Sequence, residues 1–141
     1  MSSSIDISVD RVYNVTSESS SGSARKRPNK TQFLVDRLWP RGVKKETLHL
    51  GPDGNDDGWL KELTPSDDLR DRFHKGSLGF DKFSEHYRKE LDENKKDGEL
   101  DDALELIRTC SDDEIVLLTA NKDEEQNHAL VLQQWLEKQL S

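Results

Sequence analysis

The stretch VLLTANKDEEQNHALVLQQWL, Val116–Leu136, joins an apolar strand pattern directly to an amphipathic helix pattern. Its first residues belong to a predicted buried strand, Glu114–Thr119, and apolar residues recur at helical spacing through His128–Leu140. Polar residues gather between the two patterns: Asn121, Lys122, Asp123, Asn127 and His128. In open α/β sheets, ligands bind outside the carboxyl ends of the strands, so this junction is a candidate site.

Two further strand patterns precede this junction. The segment Ile5–Tyr13 alternates apolar and polar residues, which predicts an edge strand with one face in water. The segment Thr31–Trp39 is apolar on both faces and stops at Pro40. This pattern predicts a central strand that is covered on both sides.

Three helices are predicted between the second and third strands. The stretch TPSDDLRDRF, residues 64–73, predicts a short helix with Ser66 as its N-cap. Two longer amphipathic stretches follow, FDKFSEHYRKEL at residues 80–91 and LDDALELIRTC at residues 100–110. The order β, β, α, α, α, β, α predicts an α/β fold with a small, mostly parallel sheet flanked by helices, because parallel strands need long crossovers.

The composition predicts a single domain with substantial exposed loops. A chain of 141 residues is too short for two domains of ordinary size, so residues 1–141 are expected to form one α/β domain. Only 31% of the residues are apolar and 35% are charged, so part of the chain must lie outside the core. We expect a flexible Ser-rich loop at residues 14–30 and a surface loop at residues 50–58.

The charge balance restricts the classes of partner. The chain is acidic, with 21 basic residues, 29 acidic residues and a formal charge of -8, which disfavours general binding to nucleic acid or anionic membrane. A local basic pocket for a small anion is still compatible with this charge. No apolar run approaches the roughly 18 residues of a membrane span, and the first residues lack a signal-peptide core. We therefore expect a cytoplasmic protein, and the sequence leaves its oligomeric state open.

Cysteine and metal chemistry are not expected. The single cysteine, Cys110, falls on the apolar face of a predicted helix, which favours a role in core packing. The stretch DGNDDG, Asp53–Gly58, copies the start of a calcium-binding loop, but Thr64 stands where the loop needs a bidentate glutamate. The NKD stretch resembles a base-reading motif of GTPases, yet no phosphate-binding loop accompanies it. We expect no metal and no cofactor.

The stretch VDRLWPRG, residues 35–42, is the first candidate site. In a strand, Asp36 and Arg37 would point to opposite faces, so each would need another partner. Asp36 would share its face with Leu34 and Leu38, where a carboxylate is costly unless it is paired. The cations expected to pair with it are Arg41, Lys61 and Lys122.

Two interpretations of this first site stay open. Arg41 and Gly42 are predicted to turn the chain at the carboxyl edge of the sheet, where Arg37, Trp39 and Arg41 could contact a ligand. Alternatively, the charges form a structural ion pair at the end of a strand and Trp39 fills the core.

The polar junction after the third strand is the second candidate site. Either Asn121 with Glu124 or Asp123 with Gln126 could form a capping box, so two helix starts are possible. Free backbone N–H groups at such a start can bind an anion, and Lys122 would add a cation.

The histidine of this junction has two interpretations. His128 could exchange a proton with a substrate, or it could be a hydrogen-bonded histidine at the margin of the core. Asn127 is expected to lie beside it at the rim.

Four stretches of the chain resemble the short, YeaO-like branch of the domain-of-unknown-function 488 family. They are FLVDRLWPRGVKKE, WLKELTPSDDLRDRF, FSEHYRKEL and LLTANKDEEQNHALVL. The resemblance runs from Ile5 to about Leu136, and the Ser-rich and Gly/Asp-rich loops look like insertions. It implies a compact α/β fold and no known reaction.

The resemblance also implies a set of signature positions. They are Asp36, Arg37, Trp39, Pro40, Arg41, Gly42, Lys45, Lys61, Lys122, Asp123, Asn127 and His128. Longer relatives tend to carry cysteines where this chain has Thr119 and Asn127, so their thiol chemistry does not carry over to this chain.

Three functions follow as hypotheses. The first is a small enzyme, a hydrolase or transferase acting on a phosphorylated or carboxylated small molecule, with His128 and Asp36 as its catalytic residues. The second is a non-catalytic module in which the same cationic pocket only holds a ligand or a protein partner. In the third, the cluster is wholly structural. The ligand-binding residues proposed for the pocket are Arg37, Trp39, Arg41, Lys61, Lys122, Asp123 and Asn127.

Overall fold

The computed structural model describes most of the predicted secondary structure. The described residues are 6–13, 30–44, 48, 50–51, 58–110, 114–121, 123 and 125–140. The elements are β1 (Ile7–Arg11), β2 (Lys30–Leu34), a short 3-10 helix (Lys61–Leu63), α1 (Asp67–His74), α2 (Phe80–Lys96), α3 (Asp101–Thr109), β3 (Glu114–Thr119) and α4 (His128–Leu140). The predicted fold class, a small parallel sheet flanked by helices, is confirmed.

The described strands form a parallel sheet in the order β1-β3-β2. Leu117 of β3 is the register partner of both Val9 and Phe33, so β3 is the central strand and β2 lies at an edge. The prediction that Thr31–Trp39 forms a central strand reaching Trp39 is therefore wrong. The strand ends at Leu34.

The outer edge of β2 is covered by a later segment of the chain, and both faces of β2 are buried although it is an edge strand. The N–H of Gly51 donates to the carbonyl of Gln32 over 2.7 Å, and that of Leu60 donates to Leu34 over 2.9 Å. Both faces of β2 are buried by the two apolar clusters that pack on either side of the sheet. No regular strand pairs with this outer edge within the described residues. Burial on both faces imitates a central strand in sequence.

The sheet separates two groups of buried apolar side chains, since successive residues of a strand point to opposite faces. Phe33, Ile115 and Leu117 belong to a large cluster that includes buried residues from all four described α-helices. Leu34, Val116 and Leu118 point to the other face. There they pack with Val12, Leu48, Leu50 and the partly buried Trp39 and Trp59. Cys110 is buried in the large cluster, as predicted.

The helix caps agree with the prediction at one helix and differ at another. At α1 the hydroxyl of Ser66 accepts from the N–H of Leu69, so the predicted cap is confirmed. Helix α4 begins at His128, and its cap is Asn127, whose Oδ1 accepts from the N–H of Leu130 over 3.1 Å. Both predicted starts, at Asn121 and at Asp123, are wrong.

The junction before α4 is an irregular turn rather than an earlier start of the helix. The Asp123 carboxylate accepts from the N–H groups of Glu125 and Gln126, both over 2.9 Å. This arrangement uses the carboxylate to close a local turn, as Asx residues often do. The chain therefore enters the helix only after Asn127.

The two predicted loops are described only at their ends. Residues 14–29 lie outside the described residues, and Lys30 belongs to β2. Of the segment 50–58, residues 52–57 lie outside the description, whereas Leu50, Gly51 and Gly58 are buried. Within the described residues, every helix is too short or too polar to cross a bilayer.

Candidate functional site

The Asp36 carboxylate joins the ends of two strands to the start of α4. Its Oδ1 accepts from the Thr119 hydroxyl over 2.7 Å, and its Oδ2 accepts from the N–H of Ala120 over 2.6 Å. The Nε2 atom of His128 lies 3.2 Å from Oδ1. The expected cation was an arginine or lysine, and this expectation is wrong for the described residues, in which the basic partner is His128. Lys122 lies outside them.

The prediction that Asp36 shares a strand face with Leu34 and Leu38 is also wrong. The strand ends before Asp36, and Leu38 is 70% exposed. Val35 makes the last backbone bond of this segment to β3, from its N–H to the carbonyl of Leu118 over 3.0 Å. Beyond that point the Asp36 side chain replaces the backbone as the acceptor for β3.

The surroundings of Asp36 favour its ionised form. Burial would raise the pKa of this carboxyl, but hydrogen bonding and charge attraction from His128, with the donors at Ala120 and Thr119, outweigh burial. The pKa of Asp36 is therefore lowered from its ordinary value. The carboxylate is a stable anion at neutral pH.

His128 is held by a backbone carbonyl as well as by Asp36. Its Nε2 lies 2.7 Å from the carbonyl oxygen of Val35. A carbonyl can only accept, so Nε2 must carry the hydrogen that is donated. The ring also stands edge-on to Tyr87 at 6.3 Å and is mostly buried, with 15% of the side chain exposed. Within the described part of the chain, no hydrogen bond reaches the other ring nitrogen, Nδ1.

A tight turn follows Trp39 and directs the chain back from the sheet edge. The N–H of Val43 donates to the carbonyl of Pro40 over 3.3 Å, and Gly42 has a φ of 81°. A positive φ at the third position of a four-residue turn is the type II pattern, which favours glycine. The indole N–H of Trp39 also donates to the carbonyl of Val43 over 2.7 Å. The turn predicted at Arg41 and Gly42 is confirmed.

Two more side chains fix this bend from outside. The indole N–H of Trp59 donates to the carbonyl of Asp36 over 2.7 Å, and the Tyr13 hydroxyl donates to the carbonyl of Arg41 over 2.9 Å. The rings of Trp39 and Trp59 meet edge to face at 5.3 Å. The bend is therefore anchored by hydrogen bonds and ring contacts from neighbouring side chains.

A cleft of about 430 Å³ lies between this bend, the start of α4 and helix α1. The carboxyl ends of β2 and β3 form part of its lining through Asp36, Thr119 and Ala120. Its basic lining residues are Arg37, Arg41, Arg70, His74 and His128, and its acidic lining residue is Asp36. Basic groups therefore outnumber acidic groups in the lining.

Two of the arginines share one carboxylate at the rim. The Asp67 Oδ1 lies 3.0 Å from Nε of Arg37 and 3.1 Å from Nη1 of Arg70. The Asp67 side chain is 72% exposed, so water screens these pairs and their net contribution to stability is small. Their effect is positional, because Asp67 brings the two guanidinium groups together.

The cleft brings together some of the predicted site residues and not others. Asp36, Arg37, Trp39, Arg41 and His128 all line it. The remaining described candidates do not line it: Lys61, Asp123 and Asn127.

Those three residues have other places in the fold. Lys61 lies over the Trp59 ring with Nζ 4.0 Å from its centroid, in a neighbouring depression. Asp123 is exposed in the turn before α4, where bonds from the N–H groups of Gln126 and Glu125 lower its pKa. Asn127 is buried as the helix cap.

Sequence reasoning missed the contribution of helix α1. Arg70, Phe73 and His74 all line the cleft. Their spacing of three and four residues places them on one helix face, a signal that was present in the sequence. The sequence alone did not show that this face of α1 lies beside the Trp39 bend. Within the described ranges, no three histidine, cysteine or carboxylate residues form a group that could hold a metal ion.

Comparison with known proteins places this architecture in a family. A model described as the inactive DUF488-N3 subclade matches residues 6–141. The chain belongs to the YeaO-like DUF488 family. The resemblance of the four quoted stretches to this family is therefore confirmed.

The relatives of this DUF488 chain include bacterial proteins that are described as uncharacterised. The uncharacterised protein YeaO of Escherichia coli K12 is 41% identical over 105 residues, which cover 74% of this chain and 82% of YeaO. The uncharacterised protein Rv3073c of Mycobacterium tuberculosis is 33% identical over 106 residues, covering 74% of this chain and 79% of that protein. No solved structure matches the chain.

Proposed function

We propose that the cleft beside the Trp39 bend binds a small anionic molecule bearing a phosphate or carboxylate, without performing chemistry on it. One observation carries this proposal. Three arginines and two histidines line a cleft whose lining contains a single carboxylate, in a chain with a formal charge of -8. A local concentration of basic groups against an acidic background favours small anions at that place.

The arginines have complementary roles in this proposal. Arg41 is exposed and has no ion pair within the described residues, so its guanidinium is available to a ligand. Arg37 and Arg70 are already positioned by Asp67. Planar guanidinium groups bind carboxylates and phosphates through paired hydrogen bonds. An anion in the cleft would be held by Arg41 and would compete with Asp67 for the other two.

The single carboxylate does not oppose this binding strongly. Asp36 already accepts from the Thr119 hydroxyl and the N–H of Ala120, and it lies beside His128. Its charge is therefore partly compensated by groups that belong to the fold. In this proposal Asp36 and His128 hold the walls of the cleft in place rather than act on the ligand.

The contact between His128 and Asp36 favours a catalytic alternative. Because Nε2 donates to Val35, Nδ1 is left to accept a proton, and the Asp36 carboxylate lies beside the ring. A hydrolase or transferase could use such a pair. The description of the matching subclade as inactive supports the non-catalytic proposal for this chain.

Thermal unfolding with inorganic phosphate tests the binding proposal. A ligand that binds only the native state stabilises it by about 2.7 kcal/mol at one hundred times its Kd, so Tm should rise with phosphate concentration. Arg41→Ala should reduce the rise several-fold. The matched control Arg108→Ala removes an exposed arginine of α3 and should keep the full rise. Equal rises in both variants would contradict the proposed site.

The chromogenic ester p-nitrophenyl phosphate separates the two candidates. The binding proposal expects the ester to raise Tm while no p-nitrophenol is released. Release that is lost in His128→Gln, with the fold intact by circular dichroism, would support the catalytic alternative instead.

A further inference from the structure

We infer that the ligand of this cleft carries its phosphate or carboxylate on a flat aromatic ring. This inference rests on the proposed function and extends it from the charge of the ligand to its shape. The supporting observations are the size of the cleft, the aromatic residues in its lining and one amide that is oriented by the backbone.

The cleft is larger than an inorganic anion requires. Its volume of about 430 Å³ lies within the roughly 300–1,000 Å³ range of small-molecule sites. At roughly 30 Å³ per water molecule, this space equals on the order of ten waters. A phosphate group occupies only a small part of it, so most of the cleft has room for the rest of a larger ligand.

Aromatic side chains supply part of the lining beside the basic groups. Tyr13, Trp39, Phe73 and Phe83 all line the cleft. Phe73 stacks on Phe83 with their ring centroids 4.5 Å apart. Because Phe83 is buried, this stacking contact fixes the position of the Phe73 ring. A supported ring at the surface of a cleft favours a flat partner, since aromatic faces stack with an offset.

Helix α1 places a cation and this ring on one face. Arg70, Phe73 and His74 line the cleft together, at spacings of three and four residues. Arg70 is positioned by Asp67 at 3.1 Å. A ligand whose anionic group meets Arg70 therefore has its adjoining part directed along the Phe73 ring.

Asn121 adds a directed hydrogen-bond donor just beyond the carboxyl end of β3. Its Oδ1 accepts from the N–H of Asp123 over 3.0 Å, which fixes the orientation of the amide. The Nδ2 group is then the part of this lining side chain that can donate to a ligand. A ring bearing an acceptor atom matches this feature. Mononucleotides and heteroaromatic acids both have this chemistry.

Titration calorimetry with three anions tests the inference on the unmodified protein. The probes are inorganic phosphate, 1-naphthyl phosphate and cyclohexyl phosphate. We expect 1-naphthyl phosphate to bind at least tenfold more tightly than inorganic phosphate, and cyclohexyl phosphate to fall between them. Equal affinities for all three would overturn the inference and leave the proposed function standing. Failure of all three to bind would overturn both.

A matched pair of variants locates the ring contact. Phe73→Leu removes the supported ring but keeps an apolar side chain, so the advantage of 1-naphthyl phosphate over inorganic phosphate should shrink to less than threefold. Phe80→Leu alters a neighbour whose ring lies 6.0 Å from Phe73 but which does not line the cleft, and it should keep the advantage. Loss of the advantage in both variants, or in neither, would contradict the assigned contact.

Two further probes distinguish the two classes of ligand that carry such a ring, mononucleotides and heteroaromatic acids. If the ligand class is a mononucleotide, a 5′-mononucleotide should bind more tightly than 1-naphthyl phosphate, and Asn121→Ala should remove the difference. If it is a heteroaromatic acid, quinoline-2-carboxylate should bind more tightly than acetate by at least tenfold. A mononucleotide and quinoline-2-carboxylate that bind no better than phosphate and acetate would count against the inference.

Discussion

At the scale of single residues, the Asp36 side chain accepts the hydrogen bonds from the end of β3 that the backbone of a longer β2 strand would otherwise accept. Its carboxylate accepts from Thr119 and Ala120 at the end of β3 and contacts His128 at the start of α4. Three separate elements are thereby joined through one side chain that is 15% exposed. Hydrogen bonds to a charged acceptor stabilise more than those between neutral groups, so this residue should have a large effect on the fold.

Replacing this carboxylate should lower stability in a pH-dependent way. We expect Asp36→Asn to reduce the free energy of unfolding by about 1–3 kcal/mol at pH 7. The pKa of Asp36 is lowered in the folded state, so its stabilising contribution is complete above the unfolded value near 3.9. The contribution is lost as the pH falls through the folded pKa. Urea titrations from pH 7 to pH 2 should show the difference between the proteins shrinking below about pH 4.

The control for this experiment is Asp71→Asn, which changes an exposed carboxylate of α1. It should follow the unmodified protein at every pH. A stability difference for Asp36→Asn that stayed constant down to pH 2 would contradict the assignment of an ionised, stabilising carboxylate.

Gly58 should be intolerant of any side chain. A Cβ atom built there would lie 2.3 Å from the backbone N of Gly51 and 2.5 Å from the carbonyl carbon of Leu50. Because both are backbone atoms, relief requires the segment on the edge of β2 to move. Gly58→Ala should lower the free energy of unfolding by about 1–3 kcal/mol.

A matched glycine isolates the effect of this contact. A Cβ at Gly79, the residue before α2, meets nothing within 4 Å. Gly79→Ala should therefore change stability by less than about 1 kcal/mol, the ordinary range for a helix-cap substitution. If chemical denaturation gave equal effects for the two variants, the close packing at Gly58 would be refuted.

At the scale of secondary-structure elements, periodicity predicted the order and type of the strands and α-helices. It failed where a contact from a distant segment decided the outcome. Gly51 and Leu60 cover the edge of β2, and nothing within Thr31–Trp39 records that coverage. The end of β2 likewise depends on Thr119 and Ala120, which lie more than 80 positions away from Asp36 in the chain.

The start of α4 also could not be predicted from the local sequence. Three residues before the helix have side chains suited to capping: Asn121, Asp123 and Asn127. Local sequence preference cannot choose among them, because each can accept from a nearby N–H. The structure uses Asp123 for a turn and Asn127 for the helix. The choice leaves His128 as the first helical residue, within reach of Asp36.

Removing the observed cap should weaken α4 and its contacts. Asn127 accepts from the N–H of Leu130, and its amide group donates to the carbonyl of Asp123 over 2.6 Å. Asn127→Ala should lower the free energy of unfolding by about 1–2 kcal/mol, as expected for a lost N-cap. Gln134→Ala, at an exposed position of the same helix, is the control and should be nearly neutral. Thermal unfolding that ranked Gln134→Ala as the more damaging change would contradict this cap assignment.

At the scale of the whole molecule, the sheet brings distant segments to one edge. The sequence predicted that the Trp39 bend and the start of α4 would meet there, and Trp39, Arg41 and His128 all line the same cleft. It did not predict the wall from α1, because Arg70 and His74 resemble any exposed charges on a short helix. Lys61 was expected in the same place, but it lies over the Trp59 ring outside this cleft.

The distribution of charge across the molecule gives the central claim its physical basis. The chain has a formal charge of -8, yet basic side chains outnumber acidic ones in the lining of its cleft. Salt screens exposed charges over about 10 Å at 0.1 M ionic strength. A small anion at the cleft therefore responds mainly to the nearby arginines, while the acidic remainder of the surface is screened.

The most direct test of this claim is a titration of the ¹⁵N-labelled protein with sodium phosphate at constant ionic strength, followed by amide NMR spectra. We expect saturable chemical-shift changes that are concentrated in residues 36–43, in Ala120 and Asn121, and in the cleft-facing part of α1. The same titration of Arg41→Ala should show much weaker saturation. Shift changes that do not saturate, or that concentrate away from these segments, would contradict the existence of an anion site in the cleft.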